Sequence, residues 1–137
     1  MDEVMTIALV AHDDHKQELL NIIGGHREFL ERQRLITTSA TGRAIEEKFG
    51  LRSQSVGHGP DGGDVRLAHR VLDAEVNVVI FLRSSTMVQG HEDDIRMLVR
   101  VCHLADCLLA TNFATAKLVL DTLAAQQAAA TTVASYR

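Results

Sequence analysis

The sequence predicts an α/β fold: one domain, a three-layer sandwich in which helices cover a mainly parallel five-stranded sheet. Three observations predict it. Short apolar, β-rich runs alternate with longer segments of helical period. The run Val76 to Leu82 is apolar almost throughout, as in a strand buried on both faces of a parallel sheet. The chain has 137 residues, 46% of them hydrophobic, which suits one domain with a real core and shows neither linker nor internal repeat.

Thr6 to Val10 reads as the first buried strand. From His15 to about Gly24, the residues Leu19, Leu20, Ile22 and Ile23 form the apolar stripe of a helix, stopped by Gly24-Gly25. Arg34 to Thr38 is the second strand. Thr41 is expected to cap a helix that runs through Phe49 and ends at Gly50. A weaker third strand covers Ser53 to Val56. After a glycine-rich loop, Val65, Leu67, Ala68, Val71 and Leu72 recur at helical spacing. Val76 to Leu82 is the fourth strand and Asp93 to Ala105 an amphipathic helix. Leu108 to Thr111 is the last strand, and a helix follows from about Ala114 to Gln127. The Ala-rich tail from about Ala124 either extends that helix or lacks fixed structure.

Composition removes several functions. The formal net charge of -4, with both signs spread along the chain, provides no basic stripe for nucleic acid, and 4% aromatic residues leave little for base stacking. No apolar run reaches membrane-spanning length and the start lacks a signal-peptide pattern, so no membrane partner is expected. Cys102 and Cys107 form neither a CxxC motif nor a disulfide framework, and read as reduced core residues of a cytoplasmic protein. No G-x-S-x-G elbow, phosphate-binding Walker loop or G-x-G-x-x-G fingerprint occurs.

Ligands of open parallel sheets bind beyond the carboxyl ends of the strands. That rule gathers the polar residues at Ala11-His12-Asp13, Thr37 to Gly42, Gly57-His58-Gly59, Arg83-Ser84-Ser85 and Thr111-Asn112 along one edge. The run Gly59-Pro60-Asp61-Gly62-Gly63-Asp64 is the most informative of these. Its glycines and the chain's only proline make a loop whose backbone approaches a ligand closely, and Asp64 falls at a helix start, where anions bind. A carboxylate beside a bound phosphate ester is placed for proton abstraction; the alternative is a surface turn with Asp64 as a cap. His12 and Lys16 stand at another helix start, as a polarising group and a phosphate partner or as an ordinary capped turn. Thr38, Ser39, Ala40 and Thr41 offer hydroxyls and backbone N–H groups in a phosphate-holding nest, or a simple cap. His91-Glu92-Asp93-Asp94 begins a further helix, where acids are expected in any case. His12, Asp13, His91 and Asp94 could be gathered around a metal, but local zinc spacing is absent and no metal is expected. His26, His69 and His103 read as structural or surface residues.

Taken together, these segments resemble the methylglyoxal synthase family. The matching stretches are Ile7 to Asp13 with Lys16; Thr38 with Thr41-Gly42; Gly59-Pro60 with Gly62-Gly63-Asp64; His91 with Asp94; and Ala110-Thr111-Asn112 with Ala114-Thr115-Ala116. Their order and spacing agree from about Thr6 to about Val119. The resemblance implies conversion of dihydroxyacetone phosphate to methylglyoxal and inorganic phosphate, with no cofactor or metal. It implies that Asp64 is the catalytic base and that His12 and His91 hydrogen-bond the enediolate oxygens. By the same likeness, Asp13 and Asp94 line the site, while Lys16, Thr38, Ser39, Ala40, Thr41, His58 and Gly59 hold phosphate. A homohexamer is implied as well.

The chain departs from the family pattern in several places. Ser39-Ala40 replaces Gly-Thr, His58 stands where serine is typical, and Arg83-Ser84-Ser85 replaces Trp-Asp-Pro. His91-Glu92-Asp93-Asp94 keeps both ends of His-Asp-Pro-Asp, and the sequence stops early, at Tyr136-Arg137, relative to a family tail that carries an arginine reaching a neighbouring site. The same fold also serves as an effector-binding domain, so a non-catalytic sensor of small phosphate ligands is the alternative, and a purely structural module is a third reading.

Overall fold

The computed structural model describes residues 4–84 and 92–135. Five parallel strands, β1 (Thr6–Ala11), β2 (Arg34–Thr37), β3 (Gln54–Ser55), β4 (Val78–Leu82) and β5 (Leu108–Ala110), form one sheet in the order β3-β2-β1-β4-β5. The helices are α1 (Lys16–Gly25), α2 (Arg27–Leu30), α3 (Ser39–Phe49), α4 (Gly63–Leu72), α5 (Glu92–Leu104) and α6 (Phe113–Ser135). This is the three-layer α/β architecture that the sequence predicts.

Strand alternation explains the layers. In β1, Ile7, Leu9 and Ala11 face one side with Ile80 and Leu82 of β4, and pack on Leu19, Ile23, Leu30 and Leu120. Ala8 and Val10 face the other side with Val79 and Phe81, and pack on Leu67, Val71, Ile95 and Leu98. Every residue of β1 and of β4 is buried, because helices cover both faces.

Two helix boundaries differ from expectation for local reasons, and a third settles between the two readings of the Ala-rich end. Ser39 opens α3, with Thr38 in the capping position at φ -77°, ψ 163°. Thr41 is therefore not a cap: it lies within the first turn and is buried. Gly24-Gly25 does not stop α1 but completes it; His26, at φ -128°, ψ 23°, makes the break. The short α2 then sends Phe29 and Leu30 into the core. The Ala-rich end continues as helix, so α6 spans 23 residues, in keeping with the high helix propensity of alanine. Of the two cysteines, both free, Cys102 is buried but Cys107, just before β5, is only half-buried. No described helix is long and apolar enough to cross a membrane.

The strand order reverses between β1 and β4. The chain steps outward from β1 to β2 to β3, then returns to place β4 on the other side of β1. After β1 it enters α1 on one face, and after β4 it enters α5 on the other. In open α/β sheets a reversal of this kind marks the carboxyl edge as the place where ligands bind, and the candidate residues follow the strands at that edge.

Candidate active site

His12 and Ser84 follow β1 and β4 at this reversal. The His12 backbone N–H donates to the Leu82 carbonyl at 3.0 Å. The Ser84 backbone N–H donates to His12 Nδ1 at 2.8 Å, and the ring meets the Phe81 ring edge-on, with centroids 5.3 Å apart. A neutral imidazole that accepts at Nδ1 carries its proton on Nε2. The buried Nε2 of His12 is thereby defined as a donor.

Asp64 is the second residue of α4, and 1% of it is exposed. The preceding loop sets its place. The His58 carbonyl accepts from the N–H groups of Asp61 and Gly63, and Gly62 takes φ 102°, which favours glycine. The Asp64 carboxylate lies against Gly59, where a Cβ would stand 3.5 Å from Oδ1. Arg66 ties the loop down from outside, its Nη1 donating to the Val56 carbonyl at 3.0 Å. A carboxylate in the first turn of a helix is stabilised by the positive end of the helix dipole.

Asp13 and Lys16 form an exposed ion pair at the start of α1, with Nζ to Oδ1 at 2.8 Å. The Lys16 ammonium, first by its hydrogen bond and then by its charge, holds the Asp13 carboxyl below its ordinary value. The Asp13 side chain is otherwise open to solvent, and Lys16 is the partner that holds it. The His58 ring is exposed and its Nδ1 lies 3.3 Å from Asp61 Oδ2.

The remaining phosphate candidates sit beside the glycine loop. The Ser39 N–H donates to the Gly57 carbonyl at 3.1 Å, and its hydroxyl meets the Ser55 hydroxyl at 3.2 Å. The Thr38 hydroxyl donates to the Thr41 hydroxyl at 3.4 Å, leaving α3 without a side-chain cap from Thr38. Ala40 is exposed in the first turn of α3. Asp94 is half-buried in the first turn of α5. His91 and Arg137 lie outside the described residues. Among the described residues, no three His, Cys, Asp or Glu side chains gather closely enough to hold a metal ion.

His12, Asp13, Lys16, Thr38, Ser39, Thr41, His58, Gly59 and Asp64 all lie in connections that follow the carboxyl ends of the strands, in separate local groups: His12 with Ser84, Asp13 with Lys16, Thr38 with Thr41, Ser39 with Gly57, and Asp64 with Gly59. Sequence reasoning missed two supporting groups, the Ser84 N–H and Arg66. Both depend on register and loop closure, and no local motif marks either one.

No family model matches the chain. A methylglyoxal synthase of Burkholderia cenocepacia (strain HI2424) is 42% identical to it over 118 residues, which covers 86% of this chain and 91% of that protein. A methylglyoxal synthase of Carboxydothermus hydrogenoformans is likewise 42% identical over 120 residues, covering 88% of this chain and 99% of that one. The chain belongs to the methylglyoxal synthase family. The crystal structure of methylglyoxal synthase from Elizabethkingia anophelis NUHP1 shares its fold, with a TM-score of 0.79 and 35% identity, over 85% of this chain and 77% of that one. Membership of the methylglyoxal synthase family agrees with the five-stranded parallel sheet.

Proposed function

We propose that the protein is a methylglyoxal synthase, a lyase that converts dihydroxyacetone phosphate to methylglyoxal and inorganic phosphate. The observation that carries this reading is identity of 42% to proteins of that name along nearly their whole length. The buried Asp64 and the Nε2–H of His12 at one sheet edge support it chemically.

In this reading Asp64 takes a proton from the hydroxymethyl carbon beside the ketone. Negative charge develops on the enediolate oxygens, where His12 and His91 donate hydrogen bonds. The electron pair then expels phosphate as its carbon–oxygen bond breaks, and the resulting enol tautomerises to methylglyoxal. Lys16, Thr38, Ser39, Thr41, His58 and the backbone at Ala40 and Gly59 grip the phosphate end and so fix the reacting carbon. Asp13 holds Lys16 until phosphate arrives, and Asp94 lines the far wall. The same reading makes the protein a cytoplasmic homohexamer, which sedimentation of the purified chain checks.

The test is an assay of the purified chain with dihydroxyacetone phosphate, following methylglyoxal and phosphate together. Equal release of both is expected. Asp64→Asn keeps the shape and removes the base, so kcat falls by about 10²–10⁴-fold with KM little changed. Tight binding of the substrate without turnover would replace this reading with that of a ligand sensor.

A further inference from the structure

We propose that a second anion site lies at the amino end of the sheet, and that it takes a compact small molecule carrying two or more phosphate or carboxylate groups. A cavity of about 720 Å³ opens there, within the size range of small-molecule sites. Three elements each send an arginine to it. Arg34 opens β2, Arg52 precedes β3 and Arg70 lies near the end of α4.

The charge balance of this cavity opposes that of the chain. Glu75 is the one carboxylate among its lining residues, and it accepts from Arg70 Nε at 3.0 Å. Three guanidinium groups against one carboxylate leave an excess of two positive charges, in a protein whose formal net charge is -4. Among the described residues, Arg70–Glu75 is the only ion pair within the lining. Like charges crowded into one cavity repel, and a multiply charged anion relieves that repulsion. Guanidinium forks match phosphate and carboxylate oxygens in pairs.

The floor is fixed before any ligand arrives. Gln33 accepts from the Met5 N–H at 3.0 Å and donates to the Phe29 carbonyl at 2.8 Å. Asn77 accepts from the Thr6 N–H at 2.8 Å. The site is separate from the carboxyl edge. β1 has six residues, so its two ends stand roughly 17 Å apart.

The experiment is titration of the full chain with pyrophosphate and, separately, with citrate, read by amide NMR at Leu35, Gln54 and Asn77 and by calorimetry. Saturable shifts at these amides are expected with at least one probe, weakening as salt rises. Shifts with pyrophosphate alone identify a phosphoryl ligand, and shifts with citrate alone a polycarboxylate. Arg34→Gln/Arg52→Gln should weaken binding at these amides by about tenfold or more, and Arg34→Lys/Arg52→Lys should recover part of it. Both arginines are exposed, so the variants keep the native melting curve. Amides unmoved by either probe, or native affinity in the double glutamine variant, would overturn the proposal. Turnover of dihydroxyacetone phosphate bears only on the carboxyl edge, so the two readings fail independently.

Discussion

The backbone N–H of Ser84 donates to Nδ1 of His12 across 2.8 Å. This bond joins the ends of β1 and β4, and it sets which ring nitrogen carries the proton. Replacing Ser84 by proline removes the donor, whereas alanine keeps it. Ser84→Pro is expected to lower kcat by about tenfold, the equivalent of one hydrogen bond of about 1.4 kcal/mol, and to exceed any effect of Ser84→Ala. Nitrogen NMR of the His12 ring checks the cause: the Nε2–H form dominates in the native chain and in Ser84→Ala, and loses its dominance in Ser84→Pro.

Gly63 is where the loop before Asp64 has no room. A Cβ there would lie 2.9 Å from the carbonyl oxygens of both Gly57 and His58, backbone atoms that cannot swing aside. Gly63→Ala is expected to destabilise the fold by about 1–3 kcal/mol and to depress turnover, because Asp64 follows directly. Gly25→Ala is the control. Nothing lies within 4 Å of its added Cβ, and stability should rise by about 0.4–1 kcal/mol. Urea denaturation of the two variants separates them.

In the proposed reading His58 stands at the phosphate end, where Ala40 offers no hydroxyl. A ring N–H that donates to phosphate is worth one hydrogen bond of about 0.5–1.5 kcal/mol. His58→Ala is therefore expected to weaken inorganic phosphate binding by about two- to tenfold, read by calorimetry. Unchanged affinity would reduce His58 to a loop residue paired with Asp61.

Asp121 on α6 bridges Lys117 and His26, with Oδ2 to Lys117 Nζ at 2.7 Å. Lys117 first, and His26 second, hold its carboxyl below the ordinary 3.8. A carboxyl lowered in the folded state stabilises above its unfolded value, and that contribution is lost as pH falls through the lowered folded value. Asp121→Asn should therefore melt below the native protein at about pH 7, and the difference should shrink as pH falls through the lowered carboxyl value, below 3.8. Thermal denaturation across that pH range measures it.

The sheet and most helices were legible because period is a local property. The unbroken apolar run of β4 and the stripe of α4 each record one element's burial without reference to any other. The glycines and Asp64 of the loop were legible for a similar reason, since backbone curvature and a helix start are written within a few residues. Helix starts were less so. Thr38 and Thr41 are equally good caps by chemistry, and only the end of β2 at Thr37 decides that the helix begins at Ser39.

The sequence by itself determined an α/β chain whose polar residues follow its strands, and motifs resembling one enzyme family. The tertiary structure alone decided that β4 lies beside β1, so that Ser84 reaches His12, and that Arg66 closes onto Val56. It also brought Arg34, Arg52 and Arg70 into one cavity. The physical reason is that periodicity reports which face of an element is buried, whereas strand order and register are set by packing between elements far apart in the chain.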